Sequence, residues 1–194
     1  MRLINIKGSD IVERFIIDCP TLYTATITDP SELATLEGKE LGLSKDGIKL
    51  AFEPNIREIE FDGKLGRKIK DMERILSWNC SAETKGLELS DTALNFSLIK
   101  KDSTFTNPKY EKFIPSNEIT YADIVIVGKM HGSEPIVVVM KNCFNPDGCS
   151  IETKDGEEGT YDFKAEARYE YDPLKDATGE NMVPCMIYLP KASI

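Results

Sequence analysis

The sequence predicts a mainly β protein, a β-sandwich or barrel of about eight or nine antiparallel strands with one short helix. Three observations support this fold class. Apolar and polar residues alternate along several segments, as they do on strands that bury one face. Turn sequences separate these segments, among them Asp62-Gly63, Asn145-Pro146-Asp147-Gly148 and Asp155-Gly156. Only one segment spaces its apolar residues as an amphipathic helix does.

The length and the charge of the chain limit the classes of protein to which it can belong. The 194 residues suffice for one domain with a buried core. The net charge is −9, from 33 acidic and 24 basic residues. Residues 120–194 hold 13 acidic and 7 basic residues, so the negative charge is concentrated there. Proteins that grip a phosphate backbone need clustered Lys and Arg, so specific nucleic-acid binding is disfavoured.

The N-terminal part of the chain is weakly patterned. Residues 15–17 and 22–28 each suit a strand, whereas residues 29–47 are polar with one proline and three glycines. We predict an N-terminal arm or loop-rich segment over residues 1–46 and a single β domain over residues 47–194. No apolar run has the length of a signal peptide or a spanning helix, so we expect synthesis in the cytoplasm and no membrane association.

Two strands are predicted at the start of the β domain. In Ile48–Phe61 the apolar positions change parity at Pro54, which predicts a bend or bulge there. Arg74–Lys85 alternates, with Trp78 on its apolar side. Trp78 is the only tryptophan, and we expect it to anchor the core.

One short helix is predicted over residues 91–101. Ser90 suits the N-cap, and Asp91 in the first turn favours the helix dipole. Leu94 and Leu98 follow at helical spacing.

A long polar loop is predicted over residues 102–118. Loops of this length inside a compact domain are usually functional. This one carries three aromatic residues, Phe105, Tyr110 and Phe113. Aromatic residues on a loop tend to dock either against the protein's own sheet or against a neighbouring subunit, and our hypothesis is that these three contact a neighbouring subunit.

The remaining strands are predicted from apolar runs between turns. Thr120–Met130 becomes apolar on both sides at its centre, and Pro135–Met140 is apolar throughout, so both should be buried on two faces. Cys149–Lys154 is a short strand between two turns, and Pro184–Leu189 is the last strand.

The clearest alternation lies in Thr160–Tyr171. Its apolar face consists of Tyr161, Phe163, Ala165, Ala167, Tyr169 and Tyr171. Its charged face consists of Asp162, Lys164, Glu166, Arg168 and Glu170. We therefore predict a strand with one buried face and one solvent-exposed face.

No arrangement of residues typical of catalysis is recognisable. The only histidine, His131, lies at a strand end without a Ser or Cys motif nearby. The acidic residues lack the spacing of a calcium loop. The five cysteines are odd in number and scattered, so we expect reduced thiols rather than a disulfide framework or a zinc site. The sequence thus predicts neither an enzyme nor a cofactor or metal site.

The order of the elements is more informative than any single residue. Glu53–Gly63 is an early strand, the next strand contains Ser77-Trp78-Asn79, and a Leu-rich helix follows at Thr92–Leu98. Later, Val127–Met130 turns through Gly132 into a second apolar strand, and an Asn-Pro-Asp-Gly turn leads to residues 152–159. The chain closes with the alternating strand and a strand that ends in Tyr188-Leu189-Pro190.

In this order, residues 47–190 resemble the major tail tube proteins of long-tailed bacteriophages. The resemblance implies a virion protein that forms six-fold rings, which stack into a hollow tail tube for passage of the genome. The implied partners are other copies of the chain, the tape measure protein and the tail terminator, with DNA passing through without specific binding. It also implies that loops or arms bind the next ring.

If the resemblance holds, a long alternating strand must line the lumen. We expect this of the charged face formed by Asp162, Lys164, Glu166, Arg168 and Glu170, with the two basic residues as pairing partners of the acidic ones. A small excess of carboxylates repels DNA and lets it slide. The same face could instead meet a neighbouring subunit or solvent.

Two alternative functions remain open. One is another tube or baseplate component with the same fold. The other is a β-sandwich module that binds carbohydrate or a receptor, which would need exposed aromatic residues at one end of a sheet. We expect Tyr161, Tyr169 and Tyr171 to point into the core, which disfavours the binding module.

Overall fold

The structure is a computed structural model, which describes residues 20–42, 44–62, 66–129, 134–172 and 184–191. These residues form ten strands, one α-helix and one 3-10 helix. The strands are β1 (Thr21–Thr24), β2 (Ser44–Glu58), β3 (Glu73–Gly86), β4 (Ile99–Lys101), β5 (Phe113–Pro115), β6 (Ala122–Gly128), β7 (Ile136–Cys143), β8 (Ser150–Glu152), β9 (Thr160–Glu166) and β10 (Cys185–Tyr188). The α-helix is α1 (Asp91–Phe96) and the 3-10 helix is Pro30–Leu36. The predicted strand at residues 15–17 and His131 lie outside the described residues.

Two four-stranded antiparallel sheets pack face to face. Sheet I has the order β1-β6-β7-β10, and sheet II has the order β2-β3-β9-β8. Strands β4 and β5 form a separate two-stranded sheet. Neither four-stranded sheet closes on itself, so the predicted mainly β fold is confirmed as a sandwich rather than a barrel.

Sheet I is buried on both faces. On its inner face Ile124, Ile126 and Met140 pack against sheet II residues that include Phe163. On its outer face Val125, Val137 and Val139 pack with Ile27 and with Leu36 of the 3-10 helix. The apolar character of β6 and β7 on both sides, predicted from the sequence, is therefore explained by a second layer over the outer face.

Residues 20–42 belong to the sandwich rather than to an arm. Strand β1 pairs with β6, and Leu22 is buried between the sheets. The 3-10 helix begins at an Asp29 N-cap, whose carboxylate accepts from the Ser31 N–H at 2.8 Å. Of the two predicted alternatives, an arm or a loop-rich segment, these contacts favour the second for residues 20–42. The scattered apolar positions gave no periodic signal of their contacts with the core.

Strands β2 and β3 form a long hairpin that extends beyond the sandwich. Strand β9 pairs with β3 only over residues 81–86, so in the described part of the chain residues 53–58 and 73–79 pair only with each other. We call residues 53–62 and 66–79 the hairpin arm. As predicted from the parity change at Pro54, a bulge follows: Asn55 pairs with Ser77 and Ile56 pairs with Ile75.

The helix is shorter than predicted. Ser90 is the N-cap, as predicted, and its hydroxyl accepts from the Ala93 N–H at 3.2 Å. Helix α1 ends at Phe96, and Leu98 has φ +63°, which a helix cannot accommodate. The chain then enters β4, which pairs with β5, so most of residues 102–118 form the loop of a hairpin.

Strand β9 also ends earlier than predicted. Glu166 bridges to Phe144, and Arg168 donates its N–H to the Lys141 carbonyl at 3.2 Å, so the chain leaves sheet II for the end of β7 in sheet I. Ala167 is buried as predicted, but Tyr169 and Tyr171 are 38% and 78% exposed. The alternation continues past the point where the opposing sheet ends, so it could not reveal this exposure.

Candidate functional site

The outer face of sheet II is polar and charged across three strands. We call it the charged face. Lys49 of β2 lies opposite Glu83 of β3, which lies opposite Lys164 of β9. In the next row Lys85 lies opposite Asp162. The Lys49 ammonium is 3.1 Å from the Glu83 carboxylate. Opposite charges thus alternate across the strands, as cross-strand pairing favours.

Three of the five predicted lumen residues form a connected chain of ion pairs. Lys164 Nζ lies 2.9 Å from Glu166 Oε1, and Arg168 Nη2 lies 2.9 Å from Glu166 Oε2. Lys164 also pairs with Asp147 at 3.1 Å. The predicted pairing of the basic residues with Glu166 is confirmed. The Arg168 guanidinium stacks on the Phe144 ring, 4.6 Å from its centroid, which fixes its position.

The other two predicted lumen residues are placed differently. Asp162 is exposed on the charged face. Glu170 lies beyond the end of β9, at the rim of a cavity of about 540 Å³ that Asp123, Lys141 and Arg168 also line. The structure therefore groups Asp162 with Lys164 and Glu166, while Glu170 belongs to the edge of sheet I.

The ion pairs shift the pKa values of Glu166 and Lys164. The hydrogen bond from Lys164, more than that from Arg168, holds the pKa of Glu166 below its usual range. The hydrogen bonds to Glu166 and then Asp147 raise the pKa of Lys164. Both shifts favour the charged forms of Glu166 and Lys164.

The hairpin arm exposes many large apolar side chains. Its exposed members are Ile56, Ile59, Phe61, Met72, Ile75, Leu76 and Trp78. An isolated two-stranded ribbon is marginally stable in water, and its unpaired edges are sites for pairing with another chain. Exposed apolar patches of this kind mark protein–protein contact sites. The alternating sequence of β3 could not reveal this, because it does not say where the opposing sheet stops.

Trp78 is therefore not the core anchor predicted from the sequence. Trp78 is 36% exposed, and its backbone N–H donates to the Tyr169 hydroxyl at 2.7 Å. Both residues line a polar groove of about 590 Å³, with Glu53, Asn79 and other residues of the charged face. The expectation that Tyr169 and Tyr171 point into the core is wrong, and exposed aromatic residues do stand at this end of sheet II.

The three aromatic residues predicted to contact a neighbour lie on the β4–β5 hairpin. Phe105 is 42% and Tyr110 72% exposed, whereas Phe113 lies in β5 and is half-buried. The Lys112 ammonium lies 6.0 Å from the centroid of the Phe105 ring. Their contact with another subunit stays a prediction.

Asp102 organises this hairpin. Its carboxylate accepts from the Thr104 hydroxyl at 2.6 Å and from the Thr104 N–H at 3.0 Å. Lys112 Nζ lies 2.9 Å from the other carboxylate oxygen. The hydroxyl of Thr104, followed by Lys112, lowers the pKa of Asp102 to about 2. The hairpin loop is thus ordered by its own polar contacts.

A carbon-detected NMR titration of Asp102 should give a midpoint near 2. Because the folded pKa lies below that of the unfolded chain, the carboxylate stabilises the hairpin above the ordinary Asp pKa, and this stabilisation is lost as pH falls toward 2. Thr104→Val should raise the midpoint more than Lys112→Ala. Lys109→Ala, which removes a charge from the same loop, should leave it in place. A wild-type midpoint at the ordinary value of 3.8 would contradict the arrangement.

Two pairs of side chains that meet in the structure were not predicted from the sequence. Cys80 of β3 and Cys185 of β10 form a disulfide that joins the two sheets, so the expectation of reduced thiols is wrong for this pair. Cys143 and Cys149 are free, and burial raises the pKa of the Cys143 thiol to about 12. A separation of 105 residues hides such a pairing from any local pattern.

The second grouping is a partly buried ion pair. Asp123 accepts from Lys141 Nζ at 2.8 Å and from the Asn142 N–H at 3.0 Å. Burial alone would raise the pKa of Asp123, but these hydrogen bonds together lower it. Asp123 lies at the register shift in β6, so it fixes that irregularity to the end of β7.

Within the described ranges, no group of three or more His, Cys, Asp or Glu side chains is placed to hold a metal ion. None of the helices formed by these residues combines the length and apolar character needed to span a bilayer. No known family model and no curated protein sequence matches the chain.

Proposed function

We propose that the protein is a structural subunit that assembles with copies of itself into six-fold rings stacked as a hollow tail tube. The observation that carries the proposal is the hairpin arm. Among the residues that the structure describes, it pairs with no third strand over residues 53–58 and 73–79, and it exposes a run of apolar side chains. A neighbouring copy would cover these side chains and the open strand edges.

The charged face suits the wall of a channel for DNA. Lysines there are paired with carboxylates, as Lys164 is with Glu166 and Asp147. Paired lysines have little free positive charge to hold phosphates, and the chain as a whole is acidic. Surface pairs of this kind contribute little to stability. Their proposed value is a wall on which DNA slides.

Negative-stain electron microscopy of the purified protein tests the assembly. We expect rings or long tubes at high protein concentration, and sedimentation velocity should show species that grow with concentration. A protein that stays monomeric at every concentration, and also when a tail initiator complex is added, contradicts the proposal.

A charge substitution tests the lumen assignment. Asp162→Lys should leave tube formation intact, because the residue is exposed, and should make tubes retain DNA in a filter-binding assay. Glu37→Lys is the matched control, since Glu37 is exposed beside the 3-10 helix on the opposite side of the sandwich. If Glu37→Lys tubes retain DNA and Asp162→Lys tubes do not, the charged face lies outside.

The exposed aromatic residues favour one second candidate, a carbohydrate-binding module. Trp78 and Tyr169 flank a polar groove in which sugar rings could stack and form hydrogen bonds. Binding of oligosaccharides that Trp78→Phe retains and Trp78→Ala loses, by a protein that forms no rings, would favour this module. Ring formation without sugar binding would exclude it.

A further inference from the structure

We propose that the Cys80–Cys185 disulfide is a redox switch that sets how firmly the hairpin arm is held on the sandwich. When the disulfide is formed, the root of the arm is tied to β10, and when it is reduced, the arm and β10 move independently. The effect on assembly rests on the proposed function, in which the arm is a contact surface. The coupling itself is a property of the single chain.

The disulfide joins the root of the arm to an edge strand. Cys80 directly follows the arm and lies opposite Phe52 of β2. Cys185 is the first residue of β10, which lies at one edge of sheet I and pairs with β7. The Cα atoms of the two cysteines are 6.6 Å apart, within the range that a disulfide bridges. The link thus connects the two sheets at the place where the arm leaves the sandwich.

The rest of β10 packs away from sheet II. Met186 and Tyr188 pack with the cluster on the outer face of sheet I, and Ile187 is 50% exposed. Among the described contacts, Cys185 is the only residue of β10 that packs against the core cluster between the sheets. Reduction of the disulfide therefore removes the main connection between β10 and sheet II.

A path of backbone hydrogen bonds connects the same two points less directly. The Ala167 N–H donates to the Cys80 carbonyl at 3.0 Å, and the Arg168 N–H donates to the Lys141 carbonyl at 3.2 Å. The Lys141 N–H in turn donates to the carbonyl of Pro184, which precedes β10, at 2.7 Å. Together with the disulfide, these bonds close a ring at the root of the arm. Hydrogen bonds of this kind open locally far more easily than a covalent link breaks, so the ring depends on the disulfide.

The arm depends on its root for its position. In the described part of the chain it pairs with no third strand, and a two-stranded ribbon is marginally stable in water. Near the root, the Trp78 N–H donates to the Tyr169 hydroxyl at 2.7 Å, which ties the arm to the segment after β9. A covalent link two residues further along β3 restricts the orientations of the arm. A surface that is restricted in advance binds its partner more tightly.

A small thiol can reach the link from the surface. Cys80 lines the polar groove of about 590 Å³. Pro184 and Met186, which flank the half-buried Cys185, line the cavity of about 540 Å³.

The redox step is a thiol–disulfide exchange. The thiolate of a small dithiol attacks one sulfur of the link, and the other cysteine leaves as a thiolate and takes a proton. The second thiol of the reductant, as its thiolate, then breaks the mixed disulfide. The protein thus gains two thiols, and the reductant becomes a disulfide. A small-molecule disulfide reverses the reaction and leaves as two thiols.

Oxidation should therefore tighten the assembly without any change at the contact surface. Proteins keep disulfides in an oxidising compartment and lose them in a reducing one. A tube built from reduced subunits would become firmer once it leaves a reducing compartment.

Hydrogen exchange below the assembly concentration, followed by mass spectrometry, tests the coupling. After reduction, the amides of β10 and of residues 73–79 should exchange at least about tenfold faster. Strand β1 is the internal control, because it is a four-residue edge strand at the other edge of the same sheet, and it should change less. Cys185→Ala should show the fast pattern with and without reductant.

Cys143→Ala is the matched control, because it alters a buried free cysteine of the same core and keeps the link. Its β10 and arm amides should keep their wild-type rates relative to β1. Equal acceleration in β1 and β10 of the reduced protein would mean that the link acts on global stability alone, and the switch would be wrong. Unchanged exchange after reduction contradicts it as well. Reduced wild type serves if Cys185→Ala does not fold.

The critical concentration for assembly tests the consequence. It should be at least about tenfold higher with a dithiol reductant than with a small-molecule disulfide, and Cys185→Ala should match the reduced protein in both conditions. Cys143→Ala should keep the dependence. Equal critical concentrations in the two conditions overturn the effect on assembly. A wild type that never assembles contradicts the proposed function instead, and hydrogen exchange still decides the coupling.

Discussion

Replacing Ile56, Ile75 and Leu76 together by threonine should convert the assembling protein into a folded monomer. These side chains are about half exposed on the hairpin arm, at 49%, 53% and 51%, so the monomer loses little by the change. Threonine is β-branched and therefore suits a strand. In the assembly, each of the three side chains should contribute about 1 kcal/mol to the contact between two subunits. The triple substitution should therefore weaken each contact by about 3 kcal/mol, which is roughly a hundredfold in affinity.

Because every subunit repeats the contact, even that loss should move assembly to protein concentrations beyond reach. Sedimentation velocity measures the effect, and circular dichroism shows whether the variant is folded. Ile119→Thr with Leu189→Thr is the control, because both residues are exposed to a similar extent outside the arm, at 49% and 56%. If the arm variant forms tubes at the wild-type concentration, the arm is not an assembly surface.

The disulfide between Cys80 and Cys185 should contribute strongly to the stability of the sandwich. It links β3 of sheet II to β10 of sheet I across 105 residues of chain. Cross-linking a loop of that length restricts the unfolded chain, and removal of such a link costs about 2–5 kcal/mol. Urea unfolding should show this loss in Cys185→Ala, and the wild type should show it after reduction.

Cys143→Ala separates the cross-link from simple packing. Cys143 is fully buried and free, so its substitution removes a sulfur atom without breaking a link. Its loss of stability should be smaller and should add to the effect of reduction, whereas reduction should have no further effect on Cys185→Ala. A non-reduced digest of the wild type in which residues 80 and 185 appear only as free thiols would contradict the link.

Local sequence patterns were enough to predict the fold class and most of the strands. Period-two alternation predicted β3 and β9, and the apolar runs predicted β6 and β7, because side-chain direction on a strand depends on the local backbone alone. The N-cap at Ser90 and the bulge after Pro54 were predicted for the same reason, since capping and proline effects act over a few residues. The ion pairs of Glu166 with Lys164 and Arg168 also follow from their spacing on one face.

Where the strands end and which layers cover them depend on contacts between distant parts of the chain, which no local pattern reports. Alternation in β3 and β9 continues past the edge of sheet I, so Trp78, Tyr169 and Tyr171 carry a core pattern yet are exposed. The helix was predicted too long because Leu98 has the right spacing, although its backbone turns toward β4. The Cys80–Cys185 link depends on residues far apart in the chain.

The hairpin arm belongs to the same class of features. Its sequence resembles that of any strand with one apolar side, and only the register of β9 against β3 shows that no third strand formed by the described residues lies beside residues 73–79. Burial is a property of what lies opposite a residue, and a pattern along one strand says nothing of how far the opposing layer extends. The apolar face was thus determined by the sequence, and its availability to a partner was decided by the fold.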